Sequence, residues 1–574
     1  MFLRPHFRHK NGKRHAYWAL VESYRTERGS RQRVVAYLGQ LDEAQRLGVH
    51  EAAEAAAGTQ QKRLFNDVRP QWVEVDVKRV RVENRRDFGG PWLGLELIEA
   101  LGLKTFLTQT MPRGDEEIPW SLMALVLVLS RLCSPSSELY IAEHSYVHSA
   151  LADLLGIPEE KINEQRLYRA LDALLPHKEA LETFLKKRLG ELFGLEYDLL
   201  LYDVTSTYFE GQAEGNPLAR RGYSRDHRAD CKQVCIGLVV SRCGMPLGYE
   251  IFAGNRADVT TLQEIVETME RRYGKAERIW VVDRGMVSAE NIEFLKQNGR
   301  RYIVGTPKSM IKQFEQELLA EDWHTVREGL EVKLCPGPEG KETFVLCRSR
   351  DRREKEKAMH ERFEKRIEEG LQRIEASCQK QRLQPLLVAQ RLGRLLGQNS
   401  RAAGLFQTEV QMAGDGRAVL IWKKVENWRD WAALSEGCYL LRSNVNDWSD
   451  QELWKAYIQL TEAENAFRIH KSDLGLRPIW HQKESRVKAH ILVCFLAYVL
   501  WKSLAKKCQQ AGLGDEPRRV FDELGRIELV DVVLPTRQGT EIRRRCITEP
   551  SDHQAILLTR LKMRLPKIPL TASL

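Results

Sequence analysis

Residues 197–206 read YDLLLYDVTS and residues 277–285 read ERIWVVDRG. Each is a short apolar run that ends in an aspartate, Asp203 in the first and Asp283 in the second. A bounded apolar run of this length reads as a buried strand. A carboxylate beside it is costly unless something pairs with it or binds it. Taken singly, each aspartate reads equally well as a strand-end or helix-capping residue. Around them, CKQVCIGLVVS (231–241) and PLGYEIFAG (246–254) read as two more strands. DVTTLQEIVETMERRYG (258–274) reads as a helix with Asp258 as its N-cap. SAENIEFLKQNG (288–299) is a second helix and RRYIVGTP (300–307) a fifth strand. The order is β-β-β-α-β-α-β, with Asp203 near the end of the first strand and Asp283 at the end of the fourth.

That order, with a third acid on a later helix, predicts an α/β protein with an RNase H-like mixed sheet at its centre. The third acid is Glu464. On a period of 3.6 residues a helix over Asp450–Ser472 sets Tyr457, Glu464 and Lys471 on one face, with Arg468 four residues beyond Glu464. Glu462 is a rival acid, but it points about 160° away. The other reading of this helix is a Glu464–Arg468 ion pair that only stabilises it. Three carboxylates suit phosphodiester chemistry, in which two divalent ions ~3.5–4 Å apart activate the attacking oxygen and stabilise the leaving one. Hard oxygen ligands point to Mg²⁺ or Mn²⁺, two ions being expected. The nucleophile is then water or a DNA 3′-hydroxyl, with no protein nucleophile.

Outward from this core, the chain divides into a basic β-rich region at 1–85 that binds DNA and a helical domain at 86–195. The catalytic core follows, its first part at 196–310. A large α/β insertion at 311–436 comes next. The second part of the core, at 437–510, carries the Glu464 helix, and a tail region at 511–574 ends the chain. The first 40 residues hold nine Lys and Arg, among them Arg8, Lys10, Lys13 and Arg14, against Glu22 and Glu27. Such a field suits a polyanion. AYWALVESYR and QRVVAYLG, joined by ERGSR, read as a basic hairpin, extended by a strand at Trp72–Val82. The charged helix at about 352–377 carries acids as well as bases and reads as an exposed, ion-paired helix.

Composition excludes several classes. Hydrophobic content of 43%, charged content of 29% and a net charge of +10 describe a globular chain with a modest basic excess. The longest apolar runs, 122–129 and 491–501, fall short of the ~18 residues that span a bilayer and read as buried helices. Met1–Lys13 has no apolar core of a signal peptide. Eleven scattered cysteines suggest reduced thiols. The expected location is therefore the cytoplasm, associated with the nucleoid. Cys231, Cys235 and Cys243 lie near His227, but their spacing fits no zinc pattern.

Three segments resemble a known family. Residues 457–481, YIQLTEAENAFRIHKSDLGLRPIWH, resemble the third-acid helix of the bacterial insertion-sequence DDE transposases with a Tyr–Arg–Glu–Lys signature. The spacing Tyr457, six residues, Glu464, six residues, Lys471 agrees. YDVTSTYFEG (202–211) resembles the first-Asp motif and VVDRGMVSAENI (281–292) the second. One departure stands out: the signature arginine is replaced by Leu460, which leaves Arg468 or Lys455 as substitutes. The resemblance implies a DNA transposase with Asp203, Asp283 and Glu464 as catalytic metal ligands and Tyr457, Arg468 and Lys471 at the DNA. It implies binding to terminal inverted repeats and to target DNA, a homodimer on paired ends, and cut-and-paste transposition. Two other classes compete with this reading: a DNA-binding protein that has lost cleavage, and a glycoside hydrolase with paired carboxylates. The presence of all three acids argues against the first. The strand order and the basic amino terminus argue against the second.

Overall fold

The chain is described by a computed structural model covering residues 2–10, 13–26, 29–39, 73–337, 340–414 and 416–566. Its centre is built from five strands: β1 (Leu199–Tyr208), β2 (Gln233–Ser241), β3 (Pro246–Ala253), β4 (Ile279–Val282) and β5 (Arg301–Gly305). They lie in the spatial order β3-β2-β1-β4-β5, the first three antiparallel and β4 and β5 parallel to β1. This is the RNase H-like arrangement. Helices cover both faces, which is why β2 is buried at all nine positions and reads as one continuous apolar run.

Alternation along β1 separates the two faces. Leu200 and Tyr202 pack with helices α1 (Leu262–Tyr273) and α2 (Ala289–Lys296). Leu199 and Leu201 belong to the larger core on the opposite side. By the same alternation Asp203 shares the Leu199 and Leu201 face. Asp203 is not near the end of β1, as the sequence suggested, but at its middle. Asp258 does not cap α1: the N-cap position is Thr261, which makes no side-chain cap, and Asp258 pairs instead with Arg225.

Between β5 and the last core helices, β6 (His324–Arg327), β7 (Leu330–Pro336), β8 (Thr343–Ser349) and β9 (Cys438–Ser443) continue the same sheet. β9 pairs with β5, so the sheet has nine strands. The rest of the insertion has its own core. There α3 (Arg350–Lys380) contributes Ile367 and Leu371, helix Pro385–Gln398 contributes Val388 and Leu392, and hairpin Phe406–Met412/Ala418–Lys424 contributes Leu420. The charged face of α3 is ion-paired, Glu364 with Lys424 and Arg429, and Glu368 with Lys424.

The single helix expected over Asp450–Ser472 is two, α4 (Asp450–Ile458) and α5 (Leu460–Ser472), interrupted at Gln459. Helix α6 (Glu484–Gln510) is apolar and long enough to cross a membrane by composition. It lies buried against helices Trp120–Cys133 and Glu164–Leu174 in the main core. All eleven cysteines are free.

The chain forms two units, residues 1–75 with 536–538, and the remainder. The first holds an antiparallel sheet of Phe2–Lys10, Lys13–Thr26 and Gly29–Gly39, one strand more than the expected hairpin. The strand read at Trp72–Val82 does not extend it. A strand at Arg81–Asp87 belongs to another sheet in the second unit, paired with Glu528–Pro535, which in turn pairs with Glu541–Ile547.

Candidate active site

The parallel pairing of β1 and β4 runs from Leu199 opposite Ile279 to Tyr202 opposite Val282. There β4 ends. The next residue in each segment, Asp203 within β1 and Asp283 just past β4, is an aspartate, so the two lie together where the sheet opens. Helix α5 packs across β1 and brings Glu464 to the same place. The three carboxylates feel one another. Burial pushes Asp203 up to about 7, and the charges of Asp283 and Glu464 push the same way. The Val204 N–H, which donates to Asp203 Oδ1 at 2.8 Å, and the nearby Arg225 pull against that shift. Burial and then the Asp283 charge raise Glu464 as well. A site that gathers negative charge faster than it neutralises it has the donor chemistry of a divalent-cation site.

The surroundings fix these groups. Tyr457, at the end of α4, donates from Oη to Asp283 Oδ1 at 3.2 Å. Gly305 on β5 lets the phenol in, since a Cβ there would lie 2.3 Å from Tyr457 Oη. Glu462 is turned away from Glu464 and pairs with Lys502 of α6 at 3.2 Å. Arg468 does not pair with Glu464: it is largely exposed and donates to Asn465 Oδ1 at 2.8 and 3.1 Å. Lys471 is mostly buried and lies 2.8 Å from the buried Asp226, which Arg477 also contacts. Lys471 thus ties the loop between β1 and β2 to the end of α5. Leu460 is 8% exposed and packs in the main core. The side chains of Arg8, Lys10, Lys13 and Arg14 lie outside the described residues.

Sequence reasoning missed Arg225 and Asp226. Arg225 reaches the carboxylates from that loop, its backbone N–H donating to Ser206 Oγ at 3.2 Å and its guanidinium bonded to Asp258. The signal was present as a dense run of charge, YSRDHRAD (223–230), in the loop that follows β1. A second cluster of potential ligands, Glu138, His481 and His490, is buried. Its ligand atoms already have protein partners. His481 lies 3.3 Å from Glu138, and Arg131 donates to His490 Nδ1 at 3.4 Å. His490 Nε2 faces the Leu476 carbonyl at 3.3 Å, so the cluster anchors the loop after α5.

Residues 194–500, just over half of the chain, match the family model for the transposase DDE domain, which spans the sheet, the insertion and all three acids. The chain belongs to the insertion-sequence DDE transposases. Residues 3–67 of this transposase match the model for the amino-terminal domain of IS1634 family transposases. No curated protein matches it in sequence. Among solved structures it is similar to a piggyBac transposase in a synaptic complex with hairpin DNA. That likeness has 8% identity and a TM-score of 0.35, and covers 79% of this chain and 82% of that one. The transposase is thus a DNA-binding nuclease and strand transferase by family, and the strand order above carries its fold.

Proposed function

We propose that this transposase binds the terminal inverted repeats of its own element and excises the element in a cut-and-paste reaction, acting as a homodimer on paired ends. Asp203, Asp283 and Glu464 are its catalytic residues and hold two divalent ions, Mg²⁺ or Mn²⁺. The observation that carries the reading is the convergence of three carboxylates from three separate elements, with Asp203 held up at about 7 by burial and by its two acidic neighbours. Such a set is unfavourable alone and favourable around cations. When bound, the ions activate the attacking oxygen and stabilise the leaving one.

The chain's own groups hold the geometry. Tyr457 orients Asp283 through its hydrogen bond. Arg225 offsets part of the charge at Asp203. Lys471, through Asp226, keeps the Arg225 loop over the site. Exposed Arg468 meets the DNA backbone, and the basic strands carrying Arg8, Lys10, Lys13 and Arg14 bind the repeat. In cleavage, water attacks phosphorus and the 3′-oxygen leaves with a proton. In joining, that 3′-oxygen attacks a target phosphate and the target's own 3′-oxygen leaves. Joining makes one phosphodiester for the one it breaks, and cleavage is a hydrolysis, so neither step needs an external energy source.

The test is a set of charge-neutral variants. Asp203→Asn, Asp283→Asn and Glu464→Gln each abolish Mg²⁺-dependent cleavage of end DNA, with binding to that DNA largely kept. Glu462→Gln remains active. Near-normal cleavage by any of the first three removes that residue from the site.

A further inference from the structure

A cavity of about 200 Å³ opens beside Asp283, at the ends of β5 and β9. Its lining includes Arg284, Lys308, Arg352, Glu356, Tyr439 and Tyr457. We propose that this cavity receives a DNA backbone phosphate adjoining the one being cut, held by Arg352 from the inserted segment together with Lys308 and Arg284. The proposal rests on the transposase reading above and assigns that site's neighbouring contact.

The cations are built in. Glu356 sits one turn beyond Arg352 on α3, lies 2.7 Å from Lys308 and 3.8 Å from Arg352, and accepts the Gly437 N–H at 3.0 Å. Anchored to the backbone, it positions both cations and neutralises only one. The Arg352 guanidinium lies 4.7 Å from the centre of the Tyr439 ring. The Tyr439 hydroxyl in turn accepts Trp454 Nε1–H at 2.7 Å, so the stacking surface is fixed. Arg284 directly follows Asp283 and makes no ion pair with any described residue. Three cations against two carboxylates, Glu356 and Asp283 of the candidate metal site itself, leave the cavity positive. Planar guanidinium groups suit bidentate phosphate contacts. The third-acid helix offers no cation of its own at Leu460, which faces the core. Arg352 brings a guanidinium to the cavity from a segment 108 residues earlier in the chain.

The experiment uses the full chain and end duplexes carrying a single neutral methylphosphonate at each backbone position around the cut. Wild type is expected to lose about tenfold in affinity at one position within two nucleotides of the cut, the loss of one charged contact. In Arg352→Ala that position costs nothing further, and the slope of log affinity against log salt flattens by about 0.9. Lys308→Ala, an independent variant, loses sensitivity at the same position. Arg350→Ala, paired with Glu328 and not lining the cavity, behaves as wild type. Full sensitivity at every position in both cavity variants overturns the proposal. So does an outcome in which inorganic phosphate protects wild type but not Arg352→Ala from heat while the two handle every duplex alike, since that describes a free-anion site. If wild type neither binds nor cuts end DNA, the transposase reading itself fails, which is a different result from an active wild type with an indifferent Arg352→Ala.

Discussion

Asp203 shows how one side chain ties stability to function. Its proton is held more tightly in the folded chain than in the unfolded one, where the ordinary value is 3.8. Stability from this group is therefore fully present below 3.8 and is lost as pH rises to about 7. The loss is a few kcal/mol at most, at about 1.4 kcal/mol per unit. In chelator, Asp203→Asn should unfold at a higher temperature than wild type at pH 8, and the two should converge near pH 4. Mg²⁺ should narrow the gap at pH 8 by stabilising wild type alone. A variant less stable than wild type at every pH contradicts this account. The residue was legible because an acid after LLLY demands a reason. Its charged neighbour Arg225 was not, because nothing local distinguishes one arginine of YSRDHRAD from the next. Nor can sequence show that Lys471 is spent on Asp226, 245 residues away.

Elements were readable where their side chains follow a simple period. β1, β2 and β4 are apolar runs, and all were placed to within a few residues. The break at Gln459 was not visible, because LTEAENAFRIH continues the helical pattern and Gln459 itself keeps right-handed helical angles. Arg81–Asp87 was misplaced for the opposite reason: RVENRRD has no apolar alternation, and its strand form comes from its partner. The packing of Tyr457 over Gly305 predicts a measurable coupling. Gly305→Ala drives a methyl into the phenol and should cut activity at low Mg²⁺ by displacing the hydroxyl from Asp283. Tyr457→Phe should give a similar defect. In the double variant the Ala methyl meets no hydroxyl, so the two effects should fall well short of additive. Additive losses in Mg²⁺-titrated cleavage refute the contact.

At the scale of the whole molecule, one ion network joins distant parts of the chain. Buried Arg86 lies 3.0 Å from Asp153 and 3.6 Å from Asp531, and Arg545 lies 2.8 Å from Asp531 and also bonds Asp153. Removing one partner strands a buried charge, a loss of about 3–5 kcal/mol. Asp153→Ala should accordingly lower the denaturant midpoint sharply, whereas Glu516→Ala, paired with exposed Arg519, should leave it within error. Equal midpoints for Asp153→Ala and wild type discount the network. The overall layout of core and insertion could be read from the order of strands and acids. The closure of the amino-terminal side by Glu528–Pro535 could not, since nothing in a strand's own residues names a partner more than 400 positions away. That pairing also sets a clock. At about 5–20 residues per second on the ribosome, Arg81–Asp87 waits roughly 20–90 s for Glu528–Pro535 to be made. Through that interval it is a bare edge. Five of its seven residues, Arg81, Glu83, Arg85, Arg86 and Asp87, are charged, the composition that keeps an unpaired edge from sticking to its neighbours. The sequence that hid this strand from pattern reading is what keeps it safe while the chain is still being born.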